Sequence, residues 1–285
     1  MDEQFVEVEC PICNSRDYET VSREGQHKIP LNVSICKGCG FAYLNPRWSK
    51  ERYSRFYREE YDKFYRPNLG RENSVAAKEI FDRIKIKLKN KKILEIGSGS
   101  GYILDHLMKN SDDCKFFAIE PSPDSVEILK EKGIKVIQTD AGIKWKTKEK
   151  FDLIIMRHVL EHFNEPNFVL GESKRHLSEN GMIYAAVPDL DNPVFPLTKE
   201  FFRVVHVSYF NRRSLEILCR KNMLEPIVAG KAPHEIYLML RKSSRILKDT
   251  YDDFEASKSQ LSSFLRKEKL YIILYNFRAF IRKLA

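Results

Sequence analysis

The chain has 285 residues, of which 12% are aromatic and 31% charged, and a formal net charge of +9. That length accommodates one sizeable domain and a small one, and the aromatic content excludes wholesale disorder. The opening Met1-Asp2-Glu3-Gln4 has no basic cluster or apolar core, and no apolar run reaches membrane-spanning length, so the expectation is a cytoplasmic protein with reduced cysteines.

Cys10-Pro-Ile-Cys13 and Cys36-Lys-Gly-Cys39 come first. Each pair can clamp one side of a tetrahedral zinc ion through thiolates. Gly38 and Gly40 suit the tight turns of such knuckles. Tyr18–Ser22 and Leu31–Ile35 read as short strands between them, so residues 1–46 read as a zinc ribbon. Unliganded cysteines are the rival account, but paired spacing and a short insert favour one structural zinc on Cys10, Cys13, Cys36 and Cys39. Cys114 and Cys219 stand alone and read as packing residues. Few arginines and no aromatic–basic interleaving flank the knuckles, which disfavours nucleic acid as a partner.

Residues 47–72 form an aromatic-rich linker. Tyr53, Phe56, Tyr57, Tyr61, Phe64 and Tyr65 fall at roughly helical spacing. A helix packed on the core and a lid over a bound nucleotide both fit that spacing. A second helix is expected from Asn73 to Leu88, with Val75, Ile80, Phe81, Ile84 and Leu88 on one side.

Ile93, Leu94 and Ile96 read as a buried strand, Gly97, Gly99 and Gly101 as a tight turn, and Tyr102–Met108 as a helix. That succession makes a nucleotide cradle, although a glycine triplet alone is equally a surface turn. The run Phe116–Ile119 ends at Glu120, whose carboxylate could accept both ribose hydroxyls of an adenosine. Ser122 is a candidate cap, with Pro123 at the first position, for a helix that Gly133 ends. The run Lys135–Gln138 leads to Asp140, which reads either as an adenine neighbour or as a helix cap. A fourth run, Phe151–Met156, passes directly into Arg157 and His158. Apolar runs alternating with helix-like spacers predict an α/β, Rossmann-like doubly wound core over residues 73–244.

The stretch Met156–His162 follows the fourth strand, at the edge where open α/β sheets bind ligands. Spacings of three and four would place His158, Glu161 and His162 on one helical face. Two imidazoles and a carboxylate can bind a metal or move protons; alternatively one imidazole packs and Glu161 anchors it. Gly181–Val187 is the fifth strand, and the loop Asp191–Pro196 should be stiff enough to wall a substrate site. His206 lies within the aromatic stretch Phe201–Phe210, Leu215–Cys219 reads as a helix, and Ile236–Leu240 reads as a late edge strand. Residues 245–285 read as a basic amphipathic helical tail, which could close the core, pair subunits or lie on an anionic membrane.

Together these motifs resemble the core of a class I S-adenosylmethionine-dependent methyltransferase. In that family an acidic residue precedes Gly-x-Gly-x-Gly, matched by Glu95, Gly97, Gly99 and Gly101. An acidic residue ending the second strand holds the ribose, and another lies beside the adenine; Glu120 and Asp140 match them. Val159-Leu-Glu-His162 with Pro166 resembles the family's Leu-Glu-His…Pro motif. His206 with Tyr209-Phe210 resembles a signature whose histidine points into the active site. The cysteine pairs and Phe41–Pro46 resemble a bacterial group of small-molecule methyltransferases, nucleotide-sugar carbon-methyltransferases among them.

The resemblance implies S-adenosylmethionine, a structural zinc and a small acceptor, expected to be a nucleotide- or lipid-linked sugar of surface polysaccharide biosynthesis. In-line methyl transfer to such an acceptor needs a base, and His158, His162 and His206 are the candidates because a neutral imidazole accepts protons near neutral pH. The expectation is metal-free catalysis with His206 or His158 as base and Glu161 orienting one imidazole. A small phenolic or phosphate-bearing acceptor would suit the same groups. Some class I oxygen-methyltransferases bind a divalent metal through Glu-x-x-Glu-His and a distant His. The matching positions are His158, Glu161, His162 and His206, and the replacement of the first Glu by His158 disfavours magnesium. Dehydrogenases share the glycine turn but usually lack a residue placed like Glu95. A nucleic-acid-binding protein on the same scaffold is the remaining alternative, and the tail leaves peripheral membrane contact or self-association open.

Overall fold

A computed structural model describes residues 5–60, 74–84, 88–194, 196–244 and 253–284, with backbone alone from 271 onward. Tyr61, Phe64 and Tyr65 of the expected lid lie outside the described residues. The N-terminal module contains β1 (Phe5–Val6), β2 (Tyr18–Ser22), β3 (Val33–Cys36), β4 (Ala42–Leu44) and β5 (Arg47–Trp48). Helices α1 (Lys50–Glu59) and α2 (Ser74–Ile84) follow. The core then runs β6 (Lys92–Ile96), α3 (Tyr102–Lys109), β7 (Lys115–Ile119), α4 (Pro123–Glu131), β8 (Lys135–Ile137), β9 (Phe151–Arg157), α5 (Pro166–His176) and β10 (Leu177–Pro188). It is completed by β11 (Ser208–Tyr209), α6 (Arg212–Lys221), β12 (Leu224–Ala232), β13 (Glu235–Lys242) and α7 (Phe254–Leu284).

Seven strands form one sheet in the order β12-β13-β10-β9-β6-β7-β8. The five from β10 to β8 are parallel, and β13 runs antiparallel between β10 and β12. Parallel strands covered on both faces need apolar residues at successive positions, which is why β6 and β9 read as mainly apolar runs without alternation. Leu94 and Ile154 point to the side covered by α5 and α6, while Ile93 and Leu153 point to the side covered by α2, α3 and α4. The α/β doubly wound architecture expected from the sequence is the one observed.

The expected edge strand Ile236–Leu240 is instead interior: β13 pairs with β10 on one side and β12 on the other. The edge belongs to β12, which the sequence reading missed. Pro226 removes a ladder donor there, and the register shifts between Pro226 and Val228. Ile227 and Val228 face solvent, so no apolar alternation marks the strand.

The cysteine module builds a second sheet, β11-β4-β3-β2, whose fourth strand arrives from residues 208–209. Helix α7 lies across this sheet and the segment before β11. Leu261 is fully buried, and Phe254, Phe264 and Leu265 pack with it against Val33, Ile35, Leu197 and Phe201. A Cβ on Gly40 would sit 2.5 Å from the Asp253 carbonyl, so the helix start docks tightly on the knuckle. Among the described residues no helix is long and apolar enough to cross a membrane.

Candidate active site

Gly97, Gly99 and Gly101 adopt φ of 66°, 52° and 73°, the left-handed region that glycine enters without steric cost. A Cβ on Gly97 would meet Val159 at 2.5 Å, and one on Gly101 would meet Leu129 at 2.5 Å, whereas one on Gly99 would meet open space. The first and third glycines therefore let helix and loop pack closely, and the middle one leaves room beside the turn. Glu120, at the end of β7, accepts the Gly99 N–H and the Ser122 N–H, each at 3.0 Å. One carboxylate thus braces the glycine turn and the start of α4 while keeping lone pairs for further donors. Ser122 is the N-cap of α4 as expected, but its side chain makes no cap bond.

Glu95 is buried, and burial pushes its carboxyl up to about 8. Its Oε2 and the Oγ of buried Ser98 have no hydrogen-bond partner within the protein. Buried polar atoms rarely go unpaired, and two beside the glycine turn mark a place where a ligand completes the bonding. Asp140 is exposed, and its Oδ1 accepts the Gly142 N–H at 2.7 Å in an Asx turn. The open space at Gly99, the braced Glu120 and the two orphaned groups fit S-adenosylmethionine.

Beyond β9 lies a cavity of about 510 Å³ lined by Arg157, His158, Glu161, His162, Arg203 and His206, among others. The four residues expected to act together do converge here, but not on one helical face. His158 has φ of 52° and stands outside the 3-10 turn Leu160–His162 that carries the other two. His206 reaches them from the segment before β11. Its ring meets that of His162 edge-on, with centroids 4.8 Å apart at 87°. Glu161 Oε1 lies 3.9 Å from His162 Nε2. Burial pushes Glu161 up to about 8 and leaves both its oxygens without a hydrogen-bond partner. Burial also drives His162 down to about 3 and His206 well below the usual imidazole range. His158 is lowered as well, again by burial first. The imidazoles are therefore neutral near neutral pH.

A second layer of charge escaped the sequence reading. Glu235, buried at the start of β13, accepts Arg83 Nη1 at 2.7 Å and Arg157 Nε at 3.0 Å. His158 Nε2 lies 2.9 Å from the same carboxylate, a close polar contact. Burial would raise Glu235, but His158, Arg157 and Arg83 outweigh it and pull the group down to about 2. Arg157 also donates to the Tyr102 hydroxyl at 3.0 Å, tying the cavity to the helix that follows the glycine turn. Glu235 precedes its apolar run rather than ending it, so the sign that identified Glu120 does not point to it.

At the N-terminus, Sγ of Cys10 lies 3.6 Å from Sγ of Cys39, and that of Cys13 lies 3.4 Å from that of Cys36. All four sulfurs fall within 4.8 Å of one another. A tetrahedron with Zn–S bonds of about 2.3 Å has S–S edges of about 3.8 Å, so the four thiols fit zinc. Cys219 is fully buried among apolar side chains, as a packing residue should be.

A family profile described as a methyltransferase domain matches residues 57–227. The Pelagibacter ubique (strain HTCC1062) ubiquinone biosynthesis O-methyltransferase is 30% identical over 104 residues, which is 35% of this chain and 42% of that protein. The chain thus spans less than half the length of that curated relative. Among solved structures, Burkholderia thailandensis 1,6-didemethyltoxoflavin-N1-methyltransferase, with S-adenosylhomocysteine bound, has a TM-score of 0.57 at 13% identity and covers 78% of this chain and 100% of its own. A Pyrococcus horikoshii OT3 protein has a TM-score of 0.54 at 20% identity, covering 65% of this chain and 99% of its own. At such identities the likeness establishes the fold. The glycine turn, Glu120 and the His158–His162 cluster all fall inside the profile match, and the chain belongs to the methyltransferase domain family.

Proposed function

We propose that the protein is an S-adenosylmethionine-dependent methyltransferase acting on a small polar acceptor, with a neutral imidazole as general base. The observation that carries this reading is the cavity of neutral histidines directly beside the glycine cradle: Gly97 abuts Val159, the residue after His158. In the cradle, S-adenosylmethionine supplies an electrophilic methyl group. Glu120 holds the ribose and Asp140 lies on the adenine side. The cavity orients the acceptor and excludes water, which accounts for much of the acceleration in a transfer of this kind.

His158 is the preferred base. Its side chain is 38% exposed, against 23% for His162, and the Glu235 carboxylate stands beside its Nε2. An Nε2–H facing Glu235 leaves Nδ1 to take the acceptor's proton, and the carboxylate stabilises the imidazolium formed. A nucleotide- or lipid-linked sugar is the acceptor class, supported by the cysteine module and the Phe41–Pro46 motif. That module carries a structural zinc on Cys10, Cys13, Cys36 and Cys39. Calorimetry with S-adenosylhomocysteine and NADH tests the reading: the first should bind and the second should not. NADH binding without S-adenosylhomocysteine binding would move the chain to the dehydrogenases.

A second reading, metal-assisted oxygen methylation, is favoured by Glu161, His162 and His206, whose ligand atoms lie within 4.8 Å of one another. The unpartnered Glu161 oxygens are what a cation would satisfy. Two imidazoles favour zinc or another transition metal over magnesium. Metal analysis of a Cys10→Ser, Cys13→Ser double variant separates the two readings. One remaining equivalent, lost on adding His206→Ala, supports the metal; none remaining refutes it.

A further inference from the structure

We infer that the acceptor carries an oxyanion, a phosphate or a carboxylate, and that Arg203 is the residue that receives it. The inference rests on the methyltransferase reading of the cavity and adds the chemistry of its substrate. Three arginines line the cavity. Two are already neutralised: Arg83 pairs with Glu79 and Glu235, and Arg157 pairs with Glu235. Arg203 differs. Its Nε donates to the Glu200 backbone carbonyl at 3.1 Å, and among the described residues no carboxylate forms an ion pair with it. Arg203 lines the same cavity as His158, Glu161, His162 and His206, where chemistry is expected.

Arg203 is also held in place. Upstream, buried Glu268 of α7 accepts the Leu197 N–H and the Thr198 N–H, each at 3.1 Å, together with the Thr198 hydroxyl. Downstream, the buried Tyr53 hydroxyl donates to the Val204 carbonyl at 2.9 Å, and the Leu44 N–H donates to the Val207 carbonyl at 3.0 Å. Bonds from α7, α1 and β4 thus fix the backbone on both sides of a guanidinium that has no ion-pair partner among the described residues. The planar fork of an arginine matches two oxygens of a carboxylate or phosphate, and a pre-positioned fork loses little freedom on binding. Val75 and Val194 are solvent-exposed at the rim, giving an apolar surface for the rest of the acceptor.

Calorimetric titration at low salt with S-adenosylhomocysteine present tests this, using inorganic pyrophosphate as one probe and benzoate as the other. At least one should bind the wild type, weaken tenfold or more in Arg203→Gln, and recover in part in Arg203→Lys. Binding of pyrophosphate alone identifies a phosphate-bearing acceptor, and binding of benzoate alone a carboxylate-bearing one. Binding of neither probe, or equal binding to wild type and Arg203→Gln, overturns the inference. S-adenosylhomocysteine affinity should be the same in all three proteins, which guards against misfolding. Its failure to bind the wild type would instead overturn the methyltransferase reading, with the anion titration still judging Arg203.

Discussion

Glu120 and Glu95 are both carboxyls buried at the glycine turn, yet they do opposite things. Glu120 is raised by burial, but its two backbone donors, Ser122 and Gly99, work against that shift and favour the ionised form. Replacing it with Ala removes the brace and the proposed ribose acceptor together. S-adenosylhomocysteine affinity should fall tenfold or more, in line with about 1.5–3 kcal/mol for hydrogen bonds to a charged group. Unchanged affinity by calorimetry would remove Glu120 from the donor site. For Glu95 burial outweighs the Arg157 charge and the Leu104 backbone donor, and the carboxyl is pushed up to about 8, against an ordinary value of 4.5. The folded state therefore binds this proton more tightly than the unfolded chain does. The stabilisation is complete below pH 4.5 and is lost as pH rises through about 8, on the order of a few kcal/mol. Without donor, Tm should fall between pH 6 and pH 9, and Glu95→Gln should flatten that fall. Parallel Tm profiles for the two proteins would show that Glu95 does not titrate in this window.

At the level of elements, legibility follows burial. Strands β6, β7 and β9 are covered on both faces and announce themselves as predominantly apolar runs, interrupted by Glu95 in β6 and Asp152 in β9. Strand β12 is an edge with Pro226 and outward Ile227 and Val228, and its sequence carries neither period. The site divides the same way. Glu120 is readable because its partners, Gly99 and Ser122, are defined by local motifs. Glu235 acquires its meaning from Arg157, 78 positions earlier, and Arg203 from lacking, among the described residues, any carboxylate partner. Helix α7 is the clearest case, since its sequence suggests an amphipathic tail while Glu268 is a buried cap for the turn Leu197–Phe201. Replacing Glu268 with Ala leaves those donors unpaired in a buried place, at a cost of about 1–3 kcal/mol each before relaxation. Amide hydrogen exchange should quicken across residues 197–206 and stay unchanged in α3. Uniform quickening throughout would mean that Glu268 serves general stability only.

For the molecule as a whole, two sheets share one wall. The segment from Leu197 to Tyr209 leaves the methyltransferase core, closes the acceptor cavity, and ends as a strand of the cysteine module. Helix α7 covers the other side of that segment. Truncation after residue 244 should therefore expose Leu197, Phe201 and Phe202, now buried, and give a protein that aggregates while wild type stays monodisperse in size-exclusion chromatography. A soluble, donor-binding truncation would show that the helix is dispensable to the fold.

The pairing of β11 with β4 also has a consequence for how the chain is born. Ala42 and Tyr43 leave the ribosome about 165 residues before their partners. At about 5–20 residues per second, translation leaves the β4 edge without its neighbour for roughly ten to thirty seconds. The thiol cluster needs nothing beyond Cys39, so metal can load on the emerging chain well before that edge is covered. An open strand edge is an invitation to pair with a neighbouring nascent chain. Early metal capture would hold β3 and β4 in register through that interval, so zinc scarcity should reduce the yield of soluble protein during synthesis more than it harms protein already folded.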